Sequence, residues 1–363
     1  MILLRLLLAS LWLALPASAQ TLEGPDAPAS VTQMASGLTG PWAFGFLPGG
    51  DVLITEKRGR LWRLKDGQTS ELGGVGPVAQ IGQGGLLDIL VPRDFARTRQ
   101  LYFTQALEQP GGAGTALATA ILPEGADALG DWRVLYQITP GSRGGQHFGS
   151  RLVEGADGLL YMTVGERGDR PSAQDLAREN GSVLRLTRAG DPAPGNPFAG
   201  QPGAKAAIWS FGHRNPQGAA LDTEGALWVT EHGAKGGDEV NRIAKGANYG
   251  WPVISYGRHY SGARIGEGTQ KPGMQQPEFY WDPSIAPSGL MIYSGALWPE
   301  WEGDFFTGSL KFGFISRLSG DPLREVQRLQ GAETARLRDI REGPDGAIWF
   351  LSEGQGALYR MAP

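Results

Sequence analysis

One short pattern recurs six times along the chain: a turn rich in glycine and acidic residues, followed by a run of apolar and β-branched residues. It appears as Gly50-Asp51-Val52-Leu53-Ile54-Thr55-Glu56, Asp157-Gly158-Leu159-Leu160-Tyr161-Met162-Thr163-Val164, Glu224-Gly225-Ala226-Leu227-Trp228-Val229-Thr230-Glu231 and Asp345-Gly346-Ala347-Ile348-Trp349-Phe350, with weaker copies at residues 99–104 and 302–307. Most copies are followed by a second run carrying hydrophobic-x-Arg-hydrophobic, as in Leu61-Trp62-Arg63-Leu64, Val183-Leu184-Arg185-Leu186 and Ile315-Ser316-Arg317-Leu318. Self-similarity at this period marks a repeat architecture in which each unit buries its faces only against its neighbours. Uneven spacing places the loop insertions between units. The pattern predicts an all-β chain, a six-bladed β-propeller, whose closed ring protects its sheet edges.

Other architectures fit less well. The chain holds 56 glycines and 25 prolines among 363 residues, and these punctuate short strand-like runs. Helical periodicity is scarce, with residues 173–179 the best short candidate, which argues against an α/β fold. The longest insertion, residues 245–294, is expected to form a wall or lid over a site.

The first 19 residues read as a secretory signal: an early charge at Arg5, an apolar stretch over residues 6–15, and Pro16-Ala17-Ser18-Ala19 as a small-residue cleavage site. The apolar stretch is shorter than the ~20 residues of a spanning helix. Residues 20–363 are then expected as one propeller domain, periplasmic or secreted and not inserted in a membrane. There is no cysteine, which excludes disulfides, thiol nucleophiles and thiolate metal sites. With 33 basic and 37 acidic residues and no block of like charge, no footprint for nucleic acid is present.

Four histidines occur, each in a polar, glycine-rich segment. His147 stands in Gly144-Gly145-Gln146-His147-Phe148-Gly149, just before the third repeat, where an imidazole suits proton transfer near neutral pH. Arg214 and Asn215 lie in Gly212-His213-Arg214-Asn215-Pro216, also before a repeat strand. Such pre-strand loops gather at one mouth of a ring, and a guanidinium beside an amide suits an anionic, carbonyl-bearing ligand. Glu231-His232-Gly233-Ala234-Lys235-Gly236-Gly237-Asp238-Glu239 joins carboxylates to exposed carbonyls in a glycine-rich loop, a combination that fits a hard cation, although the spacing is not that of an EF-hand. Lys311, Arg336 and Arg338 come from late blades. Arginines two apart on a strand would face one way and grip one polyanion, the alternative being a solvated strand face.

These segments, together with Gly82-Gln83-Gly84-Gly85-Leu86-Leu87-Asp88, Asn248-Tyr249-Gly250-Trp251-Pro252 and Ala286-Pro287-Ser288-Gly289, resemble in order the soluble pyrroloquinoline quinone (PQQ) glucose dehydrogenases, and more closely the bacterial aldose sugar dehydrogenases. The resemblance implies PQQ and Ca2+ as cofactors, aldose sugars as substrates and an unidentified electron acceptor. It implies that His147 is the general base and Arg214 the group stabilising charge on the quinone oxygen, with Asn215 beside it. Lys311, Phe312, Gly313, Arg336, Arg338, Gln83 and Tyr260 would contact the cofactor. The carbonyls of Gly233 and Ala234 would hold a catalytic calcium, and Glu239 with the Tyr249 carbonyl a second, structural one.

Gln146 stands where the glucose-specific enzymes carry an aspartate, which favours the broader aldose branch. Ala234 replaces their proline, and a backbone ligand survives that change. Without long extra insertions, a monomer with an open site is expected. The rival reading is a calcium-dependent propeller hydrolase acting on lactones or phosphoesters, which would crowd side-chain ligands around one central ion.

Overall fold

The computed structural model describes residues 20–22 and 29–363; the expected signal segment lies outside the described residues. Six antiparallel sheets make up the chain, and five of them are simple four-stranded meanders. The innermost strands are Pro41–Phe46, Leu86–Leu90, Leu152–Glu154, Pro216–Leu221, Pro287–Ile292 and Leu337–Glu342. Each touches the innermost strand of the next sheet, and the last touches the first. The six-bladed β-propeller expected from the repeats is the observed fold.

All six sequence repeats occupy the second strand of a blade: Val52–Glu56, Gln100–Gln109, Leu160–Val164, Leu227–Glu231, Phe305–Ser309 and Ile348–Ser352. That strand has blades on both sides, so its residues are buried on both faces, throughout in Val52–Glu56 and Ile348–Ser352. This is why it reads as a continuous apolar run rather than an alternating one. Outer strands face water and lose the pattern; Gln68–Leu72 is exposed at every position but its last. The core lies between blades: Leu53 and Leu61 of the first pack with Leu86 and Phe103 of the second, and Phe306 of the fifth with Ile348 and Phe350 of the sixth.

The ring closes with strands from opposite ends of the chain. Ala29–Ala35 pairs with Ala357–Ala362, with Val31 opposite Met361, and Gln20–Leu22 adds a further strand outside it. Closure therefore ties the two termini together and leaves the sixth blade with no free neighbour face.

Two expectations need correction. Residues 173–179 do not form a helix: a single 3-10 turn, Arg170–Gln174, with Pro171 as its second residue, gives way to extended backbone at Asp175. Tertiary hydrogen bonds hold the segment in that form, from Gly212 N–H to the Ala173 carbonyl and from the Gln174 amide to the Trp251 carbonyl. Residues 245–294 are not one insertion either, because they contain the outer strand of the fourth blade, Phe279–Trp281, and the inner strand of the fifth, Pro287–Ile292. Among the described residues no helix is long and apolar enough to cross a membrane.

Five of the six innermost strands begin with a register irregularity, between Pro41 and Ala43, Leu86 and Ile89, Pro216 and Gly218, Pro287 and Leu290, and Leu337 and Asp339. A bulge bends a strand and re-aims its side chains. Here the bends gather at one end of the ring, where the loops before the innermost strands meet those after the second strands.

Candidate active site

That end opens into a cavity of about 770 Å³. Pre-strand loops supply Gln83, His147, Arg214, Asn215, Ala286 and Arg336 to its lining, and loops after second strands supply Lys57, Gly233, Ala234, Lys235 and Lys311. Tyr260, from the excursion that precedes the outer strand of the fourth blade, closes one side. Of the residues singled out in the sequence, Gln83, His147, Arg214, Asn215, Gly233, Ala234, Tyr260, Lys311, Arg336 and Arg338 meet in this one space. Phe312 and Gly313 stand outside the lining, and the Phe312 ring is 44% exposed beneath the Lys311 ammonium.

His147 is held at several points. Its Nδ1 lies 2.6 Å from Glu166 Oε1, so the carboxylate accepts the Nδ1 proton and Nε2 keeps its lone pair. Its backbone N–H donates to Gln83 Oε1 at 2.8 Å. The residue has φ of 56°, a left-handed conformation that a non-glycine residue holds only when its surroundings enforce it. Enforcement comes from Arg167, which is buried against the Phe148 ring and donates to the Gly144 and Gln146 carbonyls. On the other side Gly82 has φ of 57° and packs so close to the Gly145 carbonyl that any side chain would collide with it. Burial lowers the imidazole pKa below its ordinary value against the opposing Glu166, and the Arg214 cation lowers it further. A neutral ring with a free Nε2 is a base ready to take a proton.

Arg214 is buried and its backbone N–H donates to Glu231 Oε2 at 2.7 Å. The guanidinium donates to the His232 carbonyl at 3.2 Å and packs over Trp251, while its Nε lacks a partner among the described residues. Asn215 is fully buried; its Oδ1 accepts Gly149 N–H at 3.1 Å, and its Nδ2 has no partner among the described residues. Unsatisfied buried donors are costly. Two such donors stand in adjacent residues beside the cavity.

Two of the late-blade cations, Arg336 and Arg338, converge with Lys57 of the first blade on an acid that sequence reading missed, whereas Lys311 does not join them. Glu353 receives Lys57 at 3.2 Å, Arg336 at 3.1 Å and Arg338 at 2.7 Å. Burial opposes its ionisation, but Arg338, Lys57 and Arg336 together hold the carboxyl down at about 2. The arginines do share one target, though not as strand neighbours: Arg336 precedes the strand with φ of 47°, and a register shift separates Leu337 from Asp339.

Asp238 organises the glycine-rich loop. Its Oδ1 accepts Gly233 N–H and its Oδ2 accepts Ala286 N–H, each at 2.7 Å, so the loop is pinned to the entry of the fifth blade. Glu239 and Tyr249 lie behind this wall, in a separate space of about 10 Å³ that Glu231 and Gly233 also line. Burial and the neighbouring Glu231 carboxylate push the Glu239 carboxyl up to about 8. The other histidines have structural partners: His213 stacks on Tyr249 and sits between Ser210 and Glu231, and His232 Nε2 bonds the Pro287 carbonyl.

The profile of the glucose/sorbosone dehydrogenase family matches residues 38–360. The chain belongs to that family. Among relatives of this glucose/sorbosone dehydrogenase family member, an aldose sugar dehydrogenase of Escherichia coli is 40% identical over 333 residues, covering 89% of this chain and 90% of its own. The solved structure of the soluble aldose sugar dehydrogenase from Escherichia coli, in its apo-form, superposes with a TM-score of 0.89 at 38% identity, covering 92% of this chain and 99% of that one. An aldose sugar dehydrogenase from Streptomyces coelicolor, solved in PQQ-bound form, gives 0.76 at 29% identity over 93% and 98%.

The residues that this family member uses to hold its site were the ones least visible in the sequence. Glu166, Arg167 and Glu353 act through contacts with other loops, and Glu353 meets Lys57 across 296 residues. The signal available for Glu166 and Glu353 was position: each follows the end of a second strand by one or two residues, as Lys57 does in the first blade.

Proposed function

We propose that the protein is a PQQ-dependent aldose dehydrogenase that oxidises the anomeric carbon of aldose sugars to lactones, with Ca2+ as Lewis acid and His147 as general base. Family membership makes it an oxidoreductase of the sugar-dehydrogenase kind. The observation that carries the finer reading is a neutral, carboxylate-anchored imidazole facing a cavity lined by six basic side chains and no acidic one.

The residues fit such a cofactor. Lys311, Arg336 and Arg338 match the carboxylates of a tricarboxylated quinone, and the unpartnered Arg214 Nε and Asn215 Nδ2 match a carbonyl oxygen. Gln83 and Tyr260 stand on the same lining. The Gly233 and Ala234 carbonyls would hold the catalytic calcium, and Glu239 with the Tyr249 carbonyl a structural one. When bound, PQQ supplies a carbonyl carbon that accepts hydride, and calcium polarises that carbonyl. His147 Nε2 takes the proton of the anomeric hydroxyl, while Glu166 keeps Nδ1–H oriented and stabilises the imidazolium as it forms. Arg214 and Asn215 present fixed donors where negative charge develops, so little reorganisation is needed during reaction. Secretion to the periplasm or beyond accords with the signal-like N-terminus. Among the described residues no three acidic or histidine side chains gather as a metal centre; the basic lining supports an anionic cofactor over the hydrolase alternative.

Titrating the protein with PQQ in the presence of calcium should yield binding and aldose-dependent dye reduction. His147→Ala should still bind PQQ and lose turnover by on the order of 10²–10⁴-fold, the usual share of a general base. Absence of PQQ binding, or activity with NAD alone, would overturn the reading.

A further inference from the structure

The cavity carries more positive charge than its proposed cofactor needs. Lys57, Arg214, Lys235, Lys311, Arg336 and Arg338 line it with no acidic residue among them, in a chain whose formal net charge is −4. The cations divide by depth. Arg214 and Arg338 are buried on the wall, whereas the side chains of Lys57 and Arg336 are 27% and 51% exposed and Lys235 and Lys311 are exposed outright. Glu353 answers Lys57, Arg336 and Arg338, whereas at the mouth Lys235 and Lys311 pair with no carboxylate among the described residues.

Lys235 is the residue that this surplus leaves without work. It follows the Gly233-Ala234 pair, and among the described residues its ammonium pairs with no carboxylate. Its backbone is fixed by paired hydrogen bonds with Arg258, another exposed cation. A fixed, exposed, unpaired lysine at the lip of a low-dielectric cleft projects its field outward, where it acts on whatever approaches.

Something must approach in every turnover. Oxidation of an aldose to its lactone removes two electrons and two protons from the sugar; the protons pass to solvent, and an electron acceptor must meet the reduced enzyme to carry the electrons away. We propose, resting on the function inferred above, that the cationic lip steers this second partner: the acceptor presents negative charge to the cavity mouth, and Lys235 is a steering residue for it. Charge of this kind raises the encounter rate more than the affinity and is screened by salt within a Debye length of about 10 Å at 0.1 M.

The test separates the two half-reactions. Holoenzyme reduced with aldose is mixed rapidly with ferricyanide, an anion, or with tris(phenanthroline)cobalt(III), a cation, over a range of ionic strength. The rate constant with ferricyanide should fall as salt rises and that with the cobalt cation should climb. Lys235→Glu, saturated with PQQ and fully reduced by aldose before mixing so that cofactor loading does not enter the measured step, should slow ferricyanide about three- to tenfold and speed the cation, within the range of electrostatic steering. As a readout independent of turnover, redox-inert hexacyanocobaltate(III) should bind the holoenzyme in calorimetry and bind Lys235→Glu more weakly. Matching salt dependence for the two acceptors, or a Lys235→Glu variant indistinguishable from wild type with both, would sink the inference while leaving the proposed function intact. A protein that never loads PQQ would take down both, and the titration reveals that before any acceptor is added.

Discussion

Two sets of buried and half-buried charges lie close together in this ring, and they are built oppositely. Where the second, third and sixth blades meet, Asp88, Arg151, Asp339 and Arg341 form a closed set: Arg151 reaches Asp88 at 3.1 Å and Asp339 at 3.0 Å, and Arg341 reaches Asp88 at 2.5 Å and Asp339 at 2.9 Å. Remaining valences are filled as well, with Leu152 N–H on Asp88 and the Gln217 and Ile89 carbonyls on the two arginines. At the cavity wall, by contrast, Lys57, Arg336 and Arg338 share the single carboxylate of Glu353. Two acids against two bases leave nothing for a ligand to do; three bases against one acid leave attraction for an anion. Balance makes a joint, and imbalance makes a binding site.

Removing one member of the closed set should have the largest effect. Asp88→Asn leaves two arginines facing one carboxylate in the interior, and breaking a buried pair costs about 3–5 kcal/mol. The urea midpoint should fall accordingly, while protein kept folded at low temperature binds PQQ as before. A loss below about 1 kcal/mol, the range of exposed pairs, would mean that the set is not a joint.

Arg336→Ala should do the reverse. A hydrogen bond to a charged group is worth about 1.5–3 kcal/mol, so PQQ affinity should weaken by roughly ten- to a hundredfold, with stability changed by no more than about 0.5 kcal/mol at this half-exposed position. Saturating PQQ should restore turnover. A variant that loses stability but not affinity would place Arg336 with the joint rather than the site.

The smallest effect sharpens the boundary between the two. Glu353 has its carboxyl at about 2 in the folded protein against an ordinary 4.5, so its stabilising contribution is complete above about 4.5 and is lost as pH falls towards 2. Between those limits the wild-type melting temperature should drop more steeply than that of Glu353→Gln. Parallel curves would show that the three cations do not depend on this acid for their placement.

The legibility of these features follows from how far each interaction reaches along the chain. Second strands were readable because burial on both faces writes an unbroken apolar run into consecutive residues, as in Ile348-Trp349-Phe350-Leu351. Outer strands were not, since Gln68–Leu72 has almost no buried face to constrain it. His147, Arg214 and Asn215 were legible through glycine-rich loops ahead of repeat strands, and all three line the cavity. Nothing local told Phe312, outside the lining, from Lys311 within it.

By itself, the sequence determined the number of blades, the strand that repeats in each, and the end of the ring at which polar loops collect, because periodic burial and turn chemistry act over a few neighbouring residues. Only the tertiary structure decided which acid answers which base. Glu166 and Glu353 follow second strands much as Lys57 does, yet one orients an imidazole 19 positions away and the other gathers a lysine from the opposite end of the chain. The first pairing exists because antiparallel strands of the third blade return Glu166 beside His147, the second because ring closure brings the first blade against the sixth, and electrostatic partnership depends on distance in space, which chain order does not encode.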